Sequence, residues 1–88
     1  MEIDFDPAKA GKNLTKHDVS FEEAASALLD PMALGFADTD AEGESRWILV
    51  GMSSQARLLT VVYTLREGER IRLISARKAT RNEARQYA

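Results

Sequence analysis

The chain is 88 residues long with 44% hydrophobic content and no cysteine, which fits one small globular domain over residues 1–88 and excludes a disulfide framework and a thiolate metal site. Its twelve Lys/Arg against fourteen Asp/Glu leave a formal charge of −2 and a pI near 5.3. That balance argues against a general polyanion binder but leaves local clusters open, because the field a phosphate feels follows clustering rather than totals. No secretory signal or apolar stretch of membrane-spanning length is present, so a cytoplasmic protein without membrane contact is expected.

The opening MEIDFDPAKAGKNLTKHDVS alternates Ile3 and Phe5 with acids, a short strand signal, and Asp6-Pro7 marks a helix start. A helix is predicted from Ala8 to about His17, with Ala10, Leu14 and His17 inward and Lys9, Lys12 and Lys16 outward; Gly11 weakens it by roughly 1 kcal/mol relative to Ala. Ser20 with Glu23 forms a capping box and Val19 staples against Ala24. The i, i+3, i+4, i+7 set Phe21, Ala24, Ala25 and Leu28 then gives a second amphipathic helix, stopped before Pro31. An extended piece at 34–37 is expected to pair at a sheet edge. Strand-like runs follow at 46–51, 57–65 and 70–77, joined by spacers short enough for antiparallel hairpins. A second capping box, Thr80 with Glu83, opens a short C-terminal helix. The order is β-α-α-β-β-β-β-α: an α+β fold whose antiparallel sheet carries two N-terminal helices packed on it and a short C-terminal helix.

Charge is divided unevenly along this order. Residues 1–65 hold five Lys/Arg against eleven Asp/Glu, whereas residues 66–88 hold seven against three. In RIRLISAR, alternation sends Ile71, Leu73 and Ser75 to one face and Arg70, Arg72, Ile74 and Ala76 to the other, with Arg77 near the strand end. Arg81 and Arg85 share one side of the next helix. With Arg70, Arg72, Arg77 and Lys78 they make a basic surface of phosphate size, since guanidinium forks pair with phosphate oxygens; the alternative is a solvated charged face.

The lone His17 sits at a helix end, where a cap is the simpler role and chemistry the sharper one. The loop DTDAEGE matches the first half of a calcium-binding loop, but the position that requires a bidentate Glu falls on Leu49, so calcium is rejected and no metal or cofactor is expected. Glu44 stands close enough to Arg46 to reach the open face. Trp47 and Tyr63 read as core or half-core residues, although a tyrosine hydroxyl at a groove edge also suits a phosphate or a base. No nucleophile triad or glycine-rich phosphate loop is present.

FDPAKAGKNLTKHDVSFEEAA, ESRWILVG and RLLTVVYTLREGERIRLISARKATRNEARQY closely resemble the BrnT family of toxins from type II toxin-antitoxin pairs, over nearly the whole chain. The family usually has Gly after the histidine where this chain has Asp18, and Ser45 separates Glu44 from Arg46. The resemblance implies a RelE-like fold, an RNA-cleaving activity that blocks translation and growth, and a neutralising antitoxin of the BrnA type, with DNA touched only through the complex. A metal-free ribonuclease needs a base, cations for the phosphorane and an acid. The expected assignment is Arg72 and Arg77 on the phosphate with Arg46 third, His17 or Glu44 as base, and Tyr63 or Tyr87 as an accessory hydrogen bond. Arg70, Lys78, Arg81, Arg85 and Tyr87 are expected to hold RNA. A non-catalytic nucleic-acid- or partner-binding module is the alternative.

Overall fold

The computed structural model describes residues 2–39 and 45–87. Strand β1 (Glu2–Asp4) leads into helix α1 (Pro7–His17), whose first turn is capped by Asp6 Oδ1 accepting from Ala8 N at 2.9 Å. The helix ends at Asp18, left-handed at φ 58°, whose N–H donates to Leu14 O. Aspartate visits this region more readily than most residues, so the left-handed turn forms here without glycine.

Helix α2 (Phe21–Leu28) starts with half of the expected capping box: Ser20 Oγ accepts from Glu23 N at 3.0 Å, while the Glu23 carboxylate turns to Ser53 and Arg57 instead of Ser20 N. Val19 and Ala24, the expected staple, are both fully buried. Then come β2 (Leu34–Ala37), β3 (Trp47–Met52), β4 (Leu58–Arg66), a single 3₁₀ turn (Glu67–Glu69), β5 (Arg70–Lys78) and α3 (Arg81–Tyr87). Five strands form one sheet in the order β1-β5-β4-β3-β2. The sheet is mixed rather than wholly antiparallel: β1 runs parallel to β5, because α1 and α2 and the strands after them return the chain to lie beside its start in the same direction.

Helices α1 and α2 cover one face. Val19, Phe21, Ala24 and Ala27 meet Leu59, Val61, Ile71, Leu73 and Ala76 in a single core cluster, each large side chain stabilising the fold by roughly 1.5–3 kcal/mol. Phe5 meets Phe21 edge to face, ring centres 5.3 Å apart. Gly51 lets α2 close on β3, since a Cβ there would stand 2.7 Å from Ala27 O.

The predicted alternation in β5 fails beyond Leu73. Tyr63 pairs with Leu73 but Val62 pairs with Ser75, so Ile74 is an inserted residue. Such a bulge reverses the parity of the residues after it. Ala76 therefore enters the core, while Ser75 and Arg77 join Arg70 and Arg72 on the opposite face. Beyond β1, the exposed edge of β5 is closed by the Asn13 side chain, which donates to Ala76 O (2.8 Å) and accepts from Ala76 N (3.0 Å) as another strand would.

A buried ion pair fastens α2 to the β3–β4 turn. Glu23, 4% exposed, accepts from Ser53 Oγ at 2.7 Å and from the Nε and Nη2 of Arg57, whose bonds hold its carboxyl below the usual range. Replacing Glu23 by Ala is expected to destabilise the protein by about 3 kcal/mol, the lower end for losing one partner of a buried pair, because Arg57 can rehydrate. Chemical denaturation monitored through Trp47 would measure it. A loss below about 1 kcal/mol would show that the pair is not what holds the turn.

Candidate active site

Residues paired across strands point to the same side of a sheet. On the face away from α1 and α2 the register therefore builds transverse rows. One row runs Asp4, Arg72 and Thr64, and continues to Arg46, just before β3. The bond from Asp38 N to Arg46 O (2.9 Å) carries the β2–β3 ladder to that position. Strand spacing sets the Arg46 and Arg72 backbones roughly 10 Å apart with Thr64 between them.

Two polar atoms in this row are buried and have no hydrogen-bond partner among the described residues: Thr64 Oγ1, in a residue 1% exposed, and Arg46 Nε. Leaving such a group unpaired costs about 1–3 kcal/mol. Both atoms can donate, so an anion's oxygens would complete their bonding. Arg72 is held only loosely, its Nη1 3.4 Å from Asp4 Oδ1, while Arg70 pairs with Glu2 at 3.2 Å one row below.

Arg77 is engaged differently. Its two Nη atoms donate to the two carboxylate oxygens of Glu83 at 2.8 and 2.9 Å. Thr60 Oγ1 and Thr80 N complete the set at 2.9 and 2.8 Å. Arg77 above all lowers the Glu83 pKa to about 2. Helix α3 is thereby latched on this face of the sheet. Its far end is tied by Tyr87, whose hydroxyl donates to Asp30, a carboxylate that also accepts from Met52 N at 2.8 Å.

The folded Glu83 pKa lies below the ordinary value of 4.5. The latch therefore contributes fully above about pH 4.5 and is lost as pH falls towards 2. Amide resonances of α3 are expected to move over that window, and Glu83→Gln should release the α3 backbone and speed trypsin cleavage after Arg81 and Arg85 at neutral pH. Unchanged digestion would mean that α3 is held by Tyr87 alone.

The structure thus brings Arg46, Arg70, Arg72 and Arg77 to one face. It does not bring Tyr63 or Lys78 there. Tyr63 pairs with Leu73 on the helix side, its hydroxyl pKa raised by burial, and Lys78 pairs with Leu59 on that side. His17 ends α1 beyond the β5 edge, close to Ser75. Arg81 and Arg85 are exposed on α3, and Glu44 lies outside the described residues. Sequence reading missed Thr64 and Asp4. The signal for Asp4 was the polar-apolar alternation of EIDF, and Thr64 had none. Among the described residues no group of three or more His, Asp or Glu is placed to hold a metal ion, and no helix is long and apolar enough to cross a membrane.

A mixed sheet clad on one side by two helices and lined on the other by arginines, around donors without a partner among the described residues, defines a small α+β protein suited to phosphate chemistry. The profile of the family described as "Ribonuclease toxin, BrnT, of type II toxin-antitoxin system" matches residues 5–83, and the chain belongs to that family. Its fold is similar to that in the 1.1 Å crystal structure of the Brucella abortus ribonuclease toxin BrnT, with a TM-score of 0.71 and 25% identity over 92% of this chain and 99% of that one. No curated protein matches significantly. Membership brings RNA as substrate and an antitoxin as partner.

Proposed function

We propose that this chain is a metal-independent endoribonuclease with a RelE-like fold that cleaves RNA in the cytoplasm and is silenced by a BrnA-type antitoxin. The observation that carries the reading is the row Arg46, Thr64, Arg72, where two donors without a partner among the described residues adjoin and a second cation, Arg72, stands loosely held. A scissile phosphate set over Thr64 would accept from the threonine hydroxyl and from both guanidinium groups. These donors gain most when charge builds on the phosphorane.

A base must then take the 2′-hydroxyl proton. Of the acceptors expected from sequence, His17 stands across the β5 edge and Glu44 lies outside the described residues. Asp4 is the carboxylate that adjoins Arg72. Their 3.4 Å contact is long for a charged pair, so Arg72 can turn to the phosphate and leave Asp4 to accept the proton. The 2′-oxygen attacks phosphorus and the bond to the 5′-oxygen breaks. The leaving oxygen takes a proton from solvent, giving a 2′,3′-cyclic phosphate and a 5′-hydroxyl. Arg77, balanced by Glu83, is assigned to positioning α3.

The purified protein is expected to cleave RNA in the presence of EDTA, to leave 5′-hydroxyl ends, and to stop when antitoxin is added. Loss of cleavage on chelation with recovery on adding a divalent ion would defeat the metal-independent reading. Salt-sensitive binding with intact RNA would favour the non-catalytic module instead.

A further inference from the structure

The row of arginines accounts for one phosphate, but a further set of cations lies elsewhere. Lys9, Lys12 and Lys16 fall on one stripe of α1, spaced i, i+3, i+7, and all three are exposed. No ion pair engages them among the described residues, whereas Arg57, Arg70, Arg72 and Arg77 each have a carboxylate partner. The stripe does not face away from the sheet. Together with His17 the three lysines line an open pocket of about 280 Å³ whose other wall is Ile74 and Ser75 of β5, and no acid lines it.

The bulge explains why this matters. Inserting Ile74 turns Ser75 to the open face, in the row next to Arg72 and Thr64, while Ser75 also borders the lysine pocket. The candidate site and the lysine stripe therefore share a wall at the one stretch of β5 that β1 leaves uncovered. Asn13 holds α1 against that edge through Ala76, so the stripe's position relative to the site is rigid. From Lys9 to Lys16 the helix rises roughly 10 Å, room for more than one backbone phosphate.

We propose that the Lys9, Lys12, Lys16 face of α1 is a second RNA-binding site, a rail for the single-stranded phosphodiester backbone flanking the scissile bond, reached over Ser75. This rests on the ribonuclease reading for its direction but not for its test. The lysines make point-charge contacts to phosphate without reading bases. Substrates long enough to reach the rail should be bound in preference to short ones, irrespective of sequence.

The test compares the parent with the triple variant Lys9→Gln, Lys12→Gln, Lys16→Gln, which keeps helix propensity and is first shown to melt like the parent. Affinity is measured against salt for a 2′-O-methyl RNA 12-mer, which cannot be cleaved, and for a 2′-O-methyl trimer. For the 12-mer, the variant is expected to lose about two units of the log–log salt slope, since each single-strand phosphate contact contributes about 0.7. Its affinity at low salt should fall at least about tenfold, with trimer affinity unchanged. On cleavable RNA, KM should rise and the saturated rate stay. An unchanged 12-mer slope would overturn the rail, as would an equal loss on the trimer. So would an unchanged RNA slope with weakened antitoxin binding, which would make the stripe a protein contact. A parent that binds the 12-mer through the lysines but cleaves no RNA would sink the ribonuclease reading and leave the rail standing.

Discussion

Replacing Arg72 by Ala is expected to lower single-turnover cleavage at saturating enzyme by about a hundredfold or more, the scale for losing one donor to transition-state charge. Arg72 is suited to this because its ion pair with Asp4 is long, at 3.4 Å, so little must be broken for it to reach a phosphate. Arg77→Ala is expected to do something else. Its guanidinium is committed to Glu83 at 2.8 and 2.9 Å, so its loss should free α3 and weaken RNA binding while the saturated rate falls less. Folding must be confirmed for both by cooperative melting and retained antitoxin binding. A folded Arg72→Ala that cleaves at the parental rate would remove the row from the chemistry, and an Arg77→Ala defect larger than that of Arg72→Ala would return the strand-end arginine to the phosphate.

The second large effect concerns the base. Asp4→Asn keeps the shape and a weak contact to Arg72 but removes the proton acceptor, and general-base loss typically costs about 10²- to 10⁴-fold. The decrease should appear in the rate at saturation, because RNA binding by Arg46, Arg72 and the lysines is untouched. His17→Ala is the control, since the imidazole is separated from the row by the β5 edge. If His17→Ala abolishes cleavage while Asp4→Asn leaves it near parental, the base lies on α1 and the row only holds the phosphate.

Local signals identified most elements to within a residue or two. Pro7 after Asp6, the box of Ser20 with Glu23, and the box of Thr80 with Glu83 each act through neighbours three residues apart or fewer, so the physics that sets these helix starts is present in the local sequence. The apolar spacing of α2 marked the face that Phe21, Ala24 and Ala27 bury. The basic character of the last strand was legible in the same way, as a count of arginines.

The composition of the site was not legible, for reasons that lie in register. The inserted Ile74 leaves no mark in RIRLISAR, since a bulge is decided by how β5 meets β4 and not by β5 alone. It moved Ala76 into the core, and it set Ser75 and Arg77 beside Arg72. Lys78, grouped with the arginines on residue type, went to the other face by the same parity, and Tyr63 by the unbroken alternation of β4. Thr64 carries no signal as a threonine in a strand; only pairing with Arg72 on one side and lying opposite Arg46 on the other makes its buried hydroxyl informative.

By itself, then, the sequence determined what nearest neighbours determine: helix starts and stops, strand identity, the apolar faces, and a family membership spread along the chain. The tertiary structure alone decided which charges are free and which are spent. Arg77 and Glu83 are six residues apart, Arg72 and Asp4 sixty-eight, and Asn13 and Ala76 sixty-three. A contact's sequence separation, unlike a helix cap's, is set by topology, and a guanidinium acts on a substrate or on its own chain according to whether a carboxylate stands within a few ångströms of it.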